Sequence, residues 1–320
     1  MTSEFEIIQK YFSRHANDVL LGVGDDGAVV QAVNDRDLVV TSDTLISGTH
    51  FSPDVNPFTI GYKSVAVNLS DLAAMGAVPK YITLSITLPS VEETWVREFS
   101  KGIYSILDDH AATLIGGDTT RGDTLSITVT ALGYVKSHMA LRRDGACLGD
   151  DVWVSGFIGL GALGLLIQQG SLNYEDEYER VFLGRLHQPE PRIKLGQRLL
   201  GVANAAIDVS DGLIADAGHI AERSGVQIKI EYEDIPVHSA VTDTRSNKSI
   251  ENCILGGGDD YELLFTARKE READIIKIGS DLRLPLTKIG KVSEGTGVVV
   301  TGDGKMKKGF QRGFDHFYKN

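Results

Sequence analysis

The chain has 320 residues, of which 42% are hydrophobic, and a formal net charge of −12. That length suits one large domain or two ordinary ones with ample core, and the acidic balance argues against nucleic acid or an anionic membrane as a partner, because both require clustered lysine and arginine. Only two cysteines, an N-terminus without a signal-peptide pattern and no apolar run that could span a bilayer predict a cytoplasmic protein.

The first half of the sequence predicts helices and strands from the spacing of its apolar residues. The strand over 38–43 ends in Thr41-Ser42-Asp43, and a later strand runs into a glycine turn in Gly116-Gly117-Asp118. A helix over 59–75 carries Asp71 in an otherwise apolar surrounding. The remaining predicted elements of this half are helices over 4–12 and 91–110 and strands over 81–88 and 123–135.

Two segments match the Gly-x-Gly-x-x-Gly pattern of dinucleotide-binding folds. The first, 22–27, is followed by a strand-like run over 28–33, and two aspartates would face a pyrophosphate, so we reject it. A turn that presents Asp25 or Asp26 to a metal remains open there, as does a plain tight turn. The second, 159–164, lies between a predicted strand and helix, but no second strand ending in an acid follows, so helix packing or a phosphate contact is favoured over NAD.

The second half centres on Asp208-Val209-Ser210-Asp211-Gly212. An apolar run over 202–207 predicts a strand before it, and an amphipathic run over 213–223 predicts a helix after it. A helix start attracts phosphate, yet two carboxylates repel an anion, and Mg²⁺ between carboxylate and phosphate would resolve that conflict. The alternative is that Ser210 or Asp211 simply caps the helix.

Aspartates of this kind recur along the chain. If they converge on one pocket, close pairs repel by ~1 kcal/mol each in water and by ~4 kcal/mol nearer a protein interior. Such a cluster therefore predicts bound cations, and carboxylates without a cysteine or histidine cluster favour Mg²⁺ over zinc. No Walker A sequence, kinase catalytic loop or nucleophile elbow is present. The candidate ligands of this type are Asp26, Asp43, Asp71, Asp118, Asp208 and Asp211.

Taken together and in order, six motifs resemble the thiamine-monophosphate kinase family over nearly the whole chain. They are Gly24-Asp25-Asp26, Thr41-Ser42-Asp43-Thr44, the segment 68–76, Gly116-Gly117-Asp118-Thr119, Asp208-Val209-Ser210-Asp211-Gly212-Leu213 and Gly258-Asp259-Asp260-Tyr261-Glu262. The resemblance implies the α/β fold shared with aminoimidazole-ribonucleotide synthase. Residues 1–140 would form an ATP- and magnesium-binding domain that dimerises through its sheet, and residues 141–320 a C-terminal α/β domain that completes the active site.

The resemblance also implies a reaction and roles for individual residues. ATP, as co-substrate, would phosphorylate thiamine phosphate to thiamine diphosphate with several Mg²⁺ ions and no general base. The implied metal ligands are Asp26, Thr41, Ser42, Asp43, Asp71, Asp118, Asp208 and Asp211. The implied ATP contacts are Gly117, Asp118, Ser210 and Arg142, with Arg143 as the alternative arginine. The implied substrate contacts are His50, Glu262 and Phe317, with Phe314 as the alternative aromatic.

Other functions remain as alternatives at this point. Selenophosphate synthesis would need a reactive cysteine near the N-terminus, and a hydrogenase-maturation dehydratase would need one at the C-terminus; this chain has neither. An ATP-using synthetase of the purine-pathway type and a non-catalytic magnesium- and nucleotide-binding module are less easily separated from a kinase by sequence. The family resemblance implies a homodimer, and no nucleic-acid or membrane partner is expected.

Overall fold

The computed structural model describes residues 4–14, 28, 30 and 32–307. The chain divides into two compact units: unit 1 comprises Met1–Leu72 and Ala77–His138, and unit 2 comprises Ala73–Gly76 and Met139–Asn320. None of the helices in these described ranges is long and apolar enough to cross a membrane.

Unit 1 is built on a four-stranded mixed sheet in the order β1-β4-β2-β3. Strand β4 runs antiparallel to both β1 and β2, and β3 runs parallel to β2. Its helices approach closely because Gly61 and Gly102 have no side chain; a Cβ at either would lie about 2 Å from a carbonyl of the other helix. The elements are α1 (Glu4–Ile7), continued by one π-helical turn (Ile8–Phe12), β1 (Arg36–Ile46), α2 (Pro57–Ala74), β2 (Val78–Leu88), α3 (Glu93–Asp109), β3 (Thr113–Arg121) and β4 (Ser126–Lys136).

Three details of unit 1 differ from the sequence-based expectations. Thr41-Ser42-Asp43 lies in the middle of β1 and does not end it, because β1 pairs with β4 along all eleven of its residues. Gly116-Gly117-Asp118 likewise continues β3 in register with β2, so no turn forms there. In β1 and β3, hydrogen bonds to a strand that is distant in the sequence outweigh the local preference of the polar and glycine residues for a turn. Residues 28, 30, 32 and 33, which were expected in a strand, are irregular.

Unit 2 contains a seven-stranded mixed sheet in the order β11-β10-β7-β9-β5-β8-β6. Two interior strands, β5 and β8, are completely buried, and apolar residues of the surrounding helices complete the core. The elements are β5 (Asp151–Ser155), α4 (Leu160–Gln168), α5 (Asp176–His187), α6 (Ile193–Leu199), β6 (Ala205–Asp208), α7 (Leu213–Ser224), β7 (Gln227–Glu231), α8 (Lys248–Gly256), β8 (Leu263–Ala267), α9 (Glu272–Leu282), β9 (Leu286–Ser293), β10 (Gly297–Gly302) and β11 (Lys305–Met306).

Candidate active site

In unit 1, strand β1 and helix α2 bring three of the predicted metal ligands together. Side chains alternate along β1, so Thr41 and Asp43 share its half-buried face. Thr41 Oγ1 donates a hydrogen bond to Asp71 Oδ2 at 2.5 Å, and the backbone N–H of Asp43 donates to Asn68 Oδ1 at 3.0 Å. Ser42 points to the other face of the sheet, where its hydroxyl hydrogen-bonds to β4.

Asp118 belongs to a different part of the same sheet. The register places it in one row with Ser85, Thr128 and Thr44, which is the row next to that of Asp43. Adjacent rows present their side chains to opposite faces, and β3 lies three strand spacings from β1, about 14 Å. Within unit 1 the predicted ligands therefore form two separate groups, so one ion cannot be bound by both Asp43 and Asp118.

Two further predicted residues of unit 1 have defined structural roles. Gly117 approaches β2 so closely that a Cβ would lie 1.7 Å from the carbonyl oxygen of Leu84, which only glycine allows. His50 follows β1, and its Nδ1 accepts a hydrogen bond from the backbone N–H of Ile46 at 3.0 Å. That bond fixes the imidazole ring and leaves Nε2 as its other polar atom.

In unit 2, the 208–212 loop joins β6 to α7 as the sequence predicts. The helix begins after Gly212, whose φ of 119° suits glycine. The N-cap position is therefore Gly212, and neither Ser210 nor Asp211 holds it. Instead Asp216 Oδ2 accepts hydrogen bonds from the backbone N–H groups of Ser210, Asp211 and Gly212 at 3.1, 3.2 and 3.1 Å.

These carboxylates form an electrostatically strained group. Burial, followed by the charges of Asp208 and Asp211, raises the pKa of the Asp216 carboxyl well above its usual range, and the amide hydrogen bonds oppose that rise. One ligand atom each of Asp211, Asp216 and His219 lies within 4.8 Å of the other two. A cation placed among these groups would relieve the repulsion.

The 257–262 loop packs directly against the 208–212 loop. The N–H of Val209 donates to the carbonyl of Glu262 at 2.8 Å, and the N–H of Tyr261 donates back to the carbonyl of Val209 at 2.8 Å. The N–H of Asp259 donates to the carbonyl of Ser210 at 2.9 Å. Asp259 and Tyr261 both have positive φ, 68° and 52°, which is strained for residues with side chains. The surrounding contacts thus hold this loop in one conformation.

Glu262, a predicted substrate contact, is buried in an ion pair. Arg192 donates to both of its oxygens, from Nε at 2.7 Å and from Nη2 at 2.5 Å. Ser155 Oγ donates to Glu262 Oε2 at 2.5 Å and accepts from the N–H of Leu263 at 2.9 Å. Gly156 leaves space for the carboxylate, since a Cβ there would lie 2.1 Å from Oε1. Glu262 therefore anchors the end of the 257–262 loop.

Asp260 binds the backbone of the second glycine motif, residues 159–164. Its carboxylate accepts hydrogen bonds from the N–H groups of Gly159 at 2.7 Å and Gly161 at 3.0 Å, at the start of α4. A Cβ at Gly161 or Gly164 would lie within 2.5 Å of a backbone carbonyl, so the glycines permit close packing. Burial raises the pKa of Asp260 to about 7 although the amide bonds oppose the rise. Of the two predicted explanations, close packing holds, because the chain's own carboxylate occupies these amides.

Arg142, the predicted ATP contact, is exposed and forms a bidentate ion pair with Asp144, Nε to Oδ1 at 2.8 Å and Nη2 to Oδ2 at 2.6 Å. This side-chain hydrogen bonding raises the pKa of the guanidinium. The alternative, Arg143, is also exposed, and its carbonyl accepts from Ser224 Oγ at 2.9 Å. An exposed guanidinium can exchange a surface carboxylate for a phosphate at little cost, since such pairs contribute about 0–1 kcal/mol.

Known proteins match both halves of the chain. The family model for the AIR synthase related protein N-terminal domain matches residues 24–135, and that for the C-terminal domain matches residues 148–303. Thiamine-monophosphate kinase of Haemophilus influenzae is 42% identical, over 98% of this chain and 98% of its own. This chain belongs to the thiamine-monophosphate kinase family.

Solved structures of the thiamine-monophosphate kinase family have the same fold. The crystal structure of thiamine-monophosphate kinase from Stenotrophomonas maltophilia K279a is 47% identical with a TM-score of 0.84, covering 95% of this chain and 96% of that chain. A structure described as AaThiL complexed with AMPPCP and TMP is 34% identical with a TM-score of 0.78, covering 98% and 97%. The family and the two-domain α/β fold predicted from the motifs are confirmed.

Two of the residues that the family resemblance selects, and one alternative, lie outside the described residues: Asp26, Phe317 and Phe314. Conversely, sequence reasoning assigned no role to several polar residues that contact or lie beside the predicted site residues in the structure. Most of them are far in the sequence from the residues they contact. One usable signal was present, the spacing of Asp216 and His219 on one face of α7. The missed residues are Asn68, Arg192, Asp216 and His219.

Proposed function

We propose that this chain transfers the γ-phosphoryl group of ATP to thiamine phosphate, giving ADP and thiamine diphosphate. Family membership over nearly the full length carries this proposal, together with a relative of the same fold whose structure is described as a complex with AMPPCP and TMP. AMPPCP is an ATP analogue in which carbon replaces the oxygen between the last two phosphorus atoms. The complex therefore contains an ATP analogue together with the phosphorylated acceptor. Both reactants are anions, which fits a site rich in cation ligands.

The chemistry follows from the acceptor. A phosphate monoester has a second pKa of about 6, so near pH 7 its attacking oxygen is mostly deprotonated and needs no general base. The barrier then lies in bringing two anions together in line, and the protein contributes positioning and charge compensation. We therefore propose direct in-line transfer with no catalytic acid or base among the side chains.

The donors that the structure provides fit Mg²⁺. In unit 1 Thr41, Asp43 and Asp71 offer hydroxyl and carboxylate oxygens on one face, and in unit 2 Asp208 and Asp211 flank the start of α7. Oxygen donors suit this hard ion. The separation of Asp118 from Asp43 supports more than one ion. When bound, Mg²⁺ would neutralise phosphate charge; the proposed ligands are Asp26, Thr41, Ser42, Asp43, Asp71, Asp118, Asp208 and Asp211.

Contacts with the two reactants are proposed by position. Gly117, Asp118, Arg142 and Ser210 would contact ATP, and His50, Glu262 and Phe317 would contact thiamine phosphate. Among the described residues, Oε1 of Glu262 accepts one hydrogen bond, from Arg192, and a carboxylate oxygen can accept a second. For His50, the hydrogen bond that Nδ1 accepts from Ile46 fixes the imidazole ring from which this contact would be made.

We also propose a homodimer that forms through the sheet of unit 1. Leu38, Val40 and Ile46 point to one face of β1 and are 50%, 56% and 36% exposed. Val78 of β2, 44% exposed, lies in the same row as Leu38 and extends this apolar face. A second copy would cover it. Light scattering should give a dimer mass for the wild type and a monomer mass for Val40→Lys.

The location proposed is the cytoplasm. Cys147 is exposed and Cys253 is buried, and both are free thiols. An exposed free thiol is typical of a reducing compartment.

The activity is tested by incubating the purified chain with ATP, MgCl₂ and thiamine phosphate and separating the products by chromatography. Equal amounts of ADP and thiamine diphosphate are expected, abolished by EDTA and restored by excess MgCl₂. Binding of ATP without transfer would leave a nucleotide-binding module. Transfer only to an amide or formyl acceptor would indicate a purine-pathway synthetase, and either result would overturn the proposal.

A further inference from the structure

The three backbone amides just before α7 are hydrogen-bonded to a carboxyl group of the same helix. The N–H groups of Ser210, Asp211 and Gly212 all donate to Asp216 Oδ2. Asp216 is 2% exposed, so water does not compete for these bonds. The backbone of the 208–212 loop is therefore held at three successive residues by one side chain.

A buried carboxyl group is used in the same way at the start of α4. Asp260 accepts hydrogen bonds from the N–H groups of Gly159 and Gly161 there, and the 257–262 loop that carries it hydrogen-bonds to Val209 and Ser210. Beside both helices, therefore, an aspartate of the chain itself holds backbone amides in place.

The same three hydrogen bonds hold the backbone that carries Asp211 and follows Asp208. Asp208 ends β6 and is 2% exposed, and Asp211 lies between two residues whose amides Asp216 holds. Asp216 also lies beside them, since its carboxyl group, that of Asp211 and a ring nitrogen of His219 come within 4.8 Å of one another. Because the backbone is held at three successive residues, the carboxylate of Asp211 has limited freedom to move away from its neighbours.

We propose that Asp216 is a positioning residue: by occupying the amides of Ser210, Asp211 and Gly212 it holds Asp208 and Asp211 in place for a divalent cation. The inference rests on the proposed function only in identifying that cation with the one used in phosphoryl transfer. Cation binding itself is measured without ATP or thiamine phosphate, so the two can fail separately.

The test uses Mn²⁺ as the probe and the full-length chain. Free Mn²⁺ is followed by its EPR signal during titration of the wild type, Asp216→Ala and Asp211→Asn, the last of which removes a proposed ligand from the same loop. Loss of a residue that orients metal ligands weakens affinity by roughly 10–100-fold, and that weakening is expected for Asp216→Ala. Wild-type Mn²⁺ affinity in a folded Asp216→Ala variant would overturn the proposal.

Asp150→Asn is the matched control for loss of a buried negative charge. Asp150 is also 2% exposed and accepts a backbone N–H, that of Cys147, and the side-chain amide of Asn204, but it lies at the other end of β6. Its Mn²⁺ affinity should equal that of the wild type; a loss as large as that of Asp216→Ala would mean that any buried charge matters, which also refutes the positioning role.

If Asp216→Ala does not fold, Asp216→Asn decides the question. It keeps one oxygen facing the three amides and removes the carboxylate charge, so its Mn²⁺ affinity should stay within a few-fold of the wild type, with the circular dichroism spectrum unchanged. A loss as large as that of Asp211→Asn would mean that the cation needs the charge of Asp216 and not its hydrogen bonds, which contradicts the proposal. If Mn²⁺ binding depends on Asp216 while no thiamine diphosphate forms in the wild type, the positioning role stands and the proposed function fails.

Discussion

The buried pair between Arg192 and Glu262 gives the sharpest stability prediction. Both side chains are almost fully enclosed, 6% and 4% exposed, and Arg192 supplies two of the three hydrogen bonds that Glu262 accepts. Arg192→Met removes these donors and leaves a charged carboxylate with the hydroxyl of Ser155 alone. Removing one partner of such a pair costs about 3–5 kcal/mol, and this is the expected loss in the free energy of unfolding of unit 2.

The assay can be restricted to unit 2. The chain has two tryptophans, Trp95 in α3 of unit 1 and Trp153 in β5 of unit 2. In a Trp95→Phe background, urea unfolding followed by fluorescence reports on Trp153. This residue is buried and pairs with β8, the strand that directly follows Glu262. The midpoint and slope of that transition give the free energy of unfolding for each variant.

The control is the same substitution at the other end of the same helix. Arg198 lies in the last turn of α6 and pairs with Asp281, but this pair is 46% and 37% exposed. Arg198→Met should cost no more than about 1 kcal/mol. The double variant Arg192→Met/Glu262→Gln should be more stable than Arg192→Met alone, because it removes the uncompensated charge. Equal losses in Arg192→Met and Arg198→Met would refute the reasoning.

Three further predictions concern the site. Gly117→Ala places a methyl group 1.7 Å from a carbonyl of β2 and should lower the free energy of unfolding of unit 1 by about 3 kcal/mol or more, measured by urea unfolding; Gly116→Ala, where nothing lies within 4 Å, should not. Asp118→Asn should lower turnover about 10²-fold or more in the ADP-release assay, whereas Asp123→Asn, in the exposed connection after β3, should leave it unchanged. The raised pKa of Asp260, about 7, means that the folded chain keeps a proton that the unfolded chain releases above about pH 4. The contribution of this group to the free energy of unfolding therefore falls as pH rises between about 4 and 7. Asp260→Ala should reduce the pH dependence of the free energy of unfolding, measured by urea unfolding across that range.

Each of these has an outcome that contradicts it. Equal stability of the two glycine variants would mean that β2 and β3 adjust to an added side chain. Normal kinetics for Asp118→Asn would remove that residue from the proposed ligands. An identical pH slope in wild type and Asp260→Ala would mean that the buried carboxyl does not titrate in this range.

Much of the architecture follows from local sequence. The apolar spacing predicted α2, α3 and α7 to within a few residues, because a helix that buries one face must repeat apolar residues at its own period. The six motifs identified the family, because glycines are needed where the backbone approaches closely and aspartates where cations are expected to bind, and both occur in the family's order. The placement of Asp208 and Asp211 between β6 and α7 was also readable locally.

Tertiary structure alone decided which polar residues meet. Thr41 and Asp43 were expected at the end of a strand and lie in its middle. Their partners in the sheet are Ala131 and Val129 of β4, which come about ninety residues later in the sequence. Arg192 and Glu262 are 70 positions apart, and Asp260 is 101 positions from Gly159. Local sequence shows which groups can donate or accept hydrogen bonds, but only the packed chain determines which donor reaches a buried carboxylate and excludes water from it.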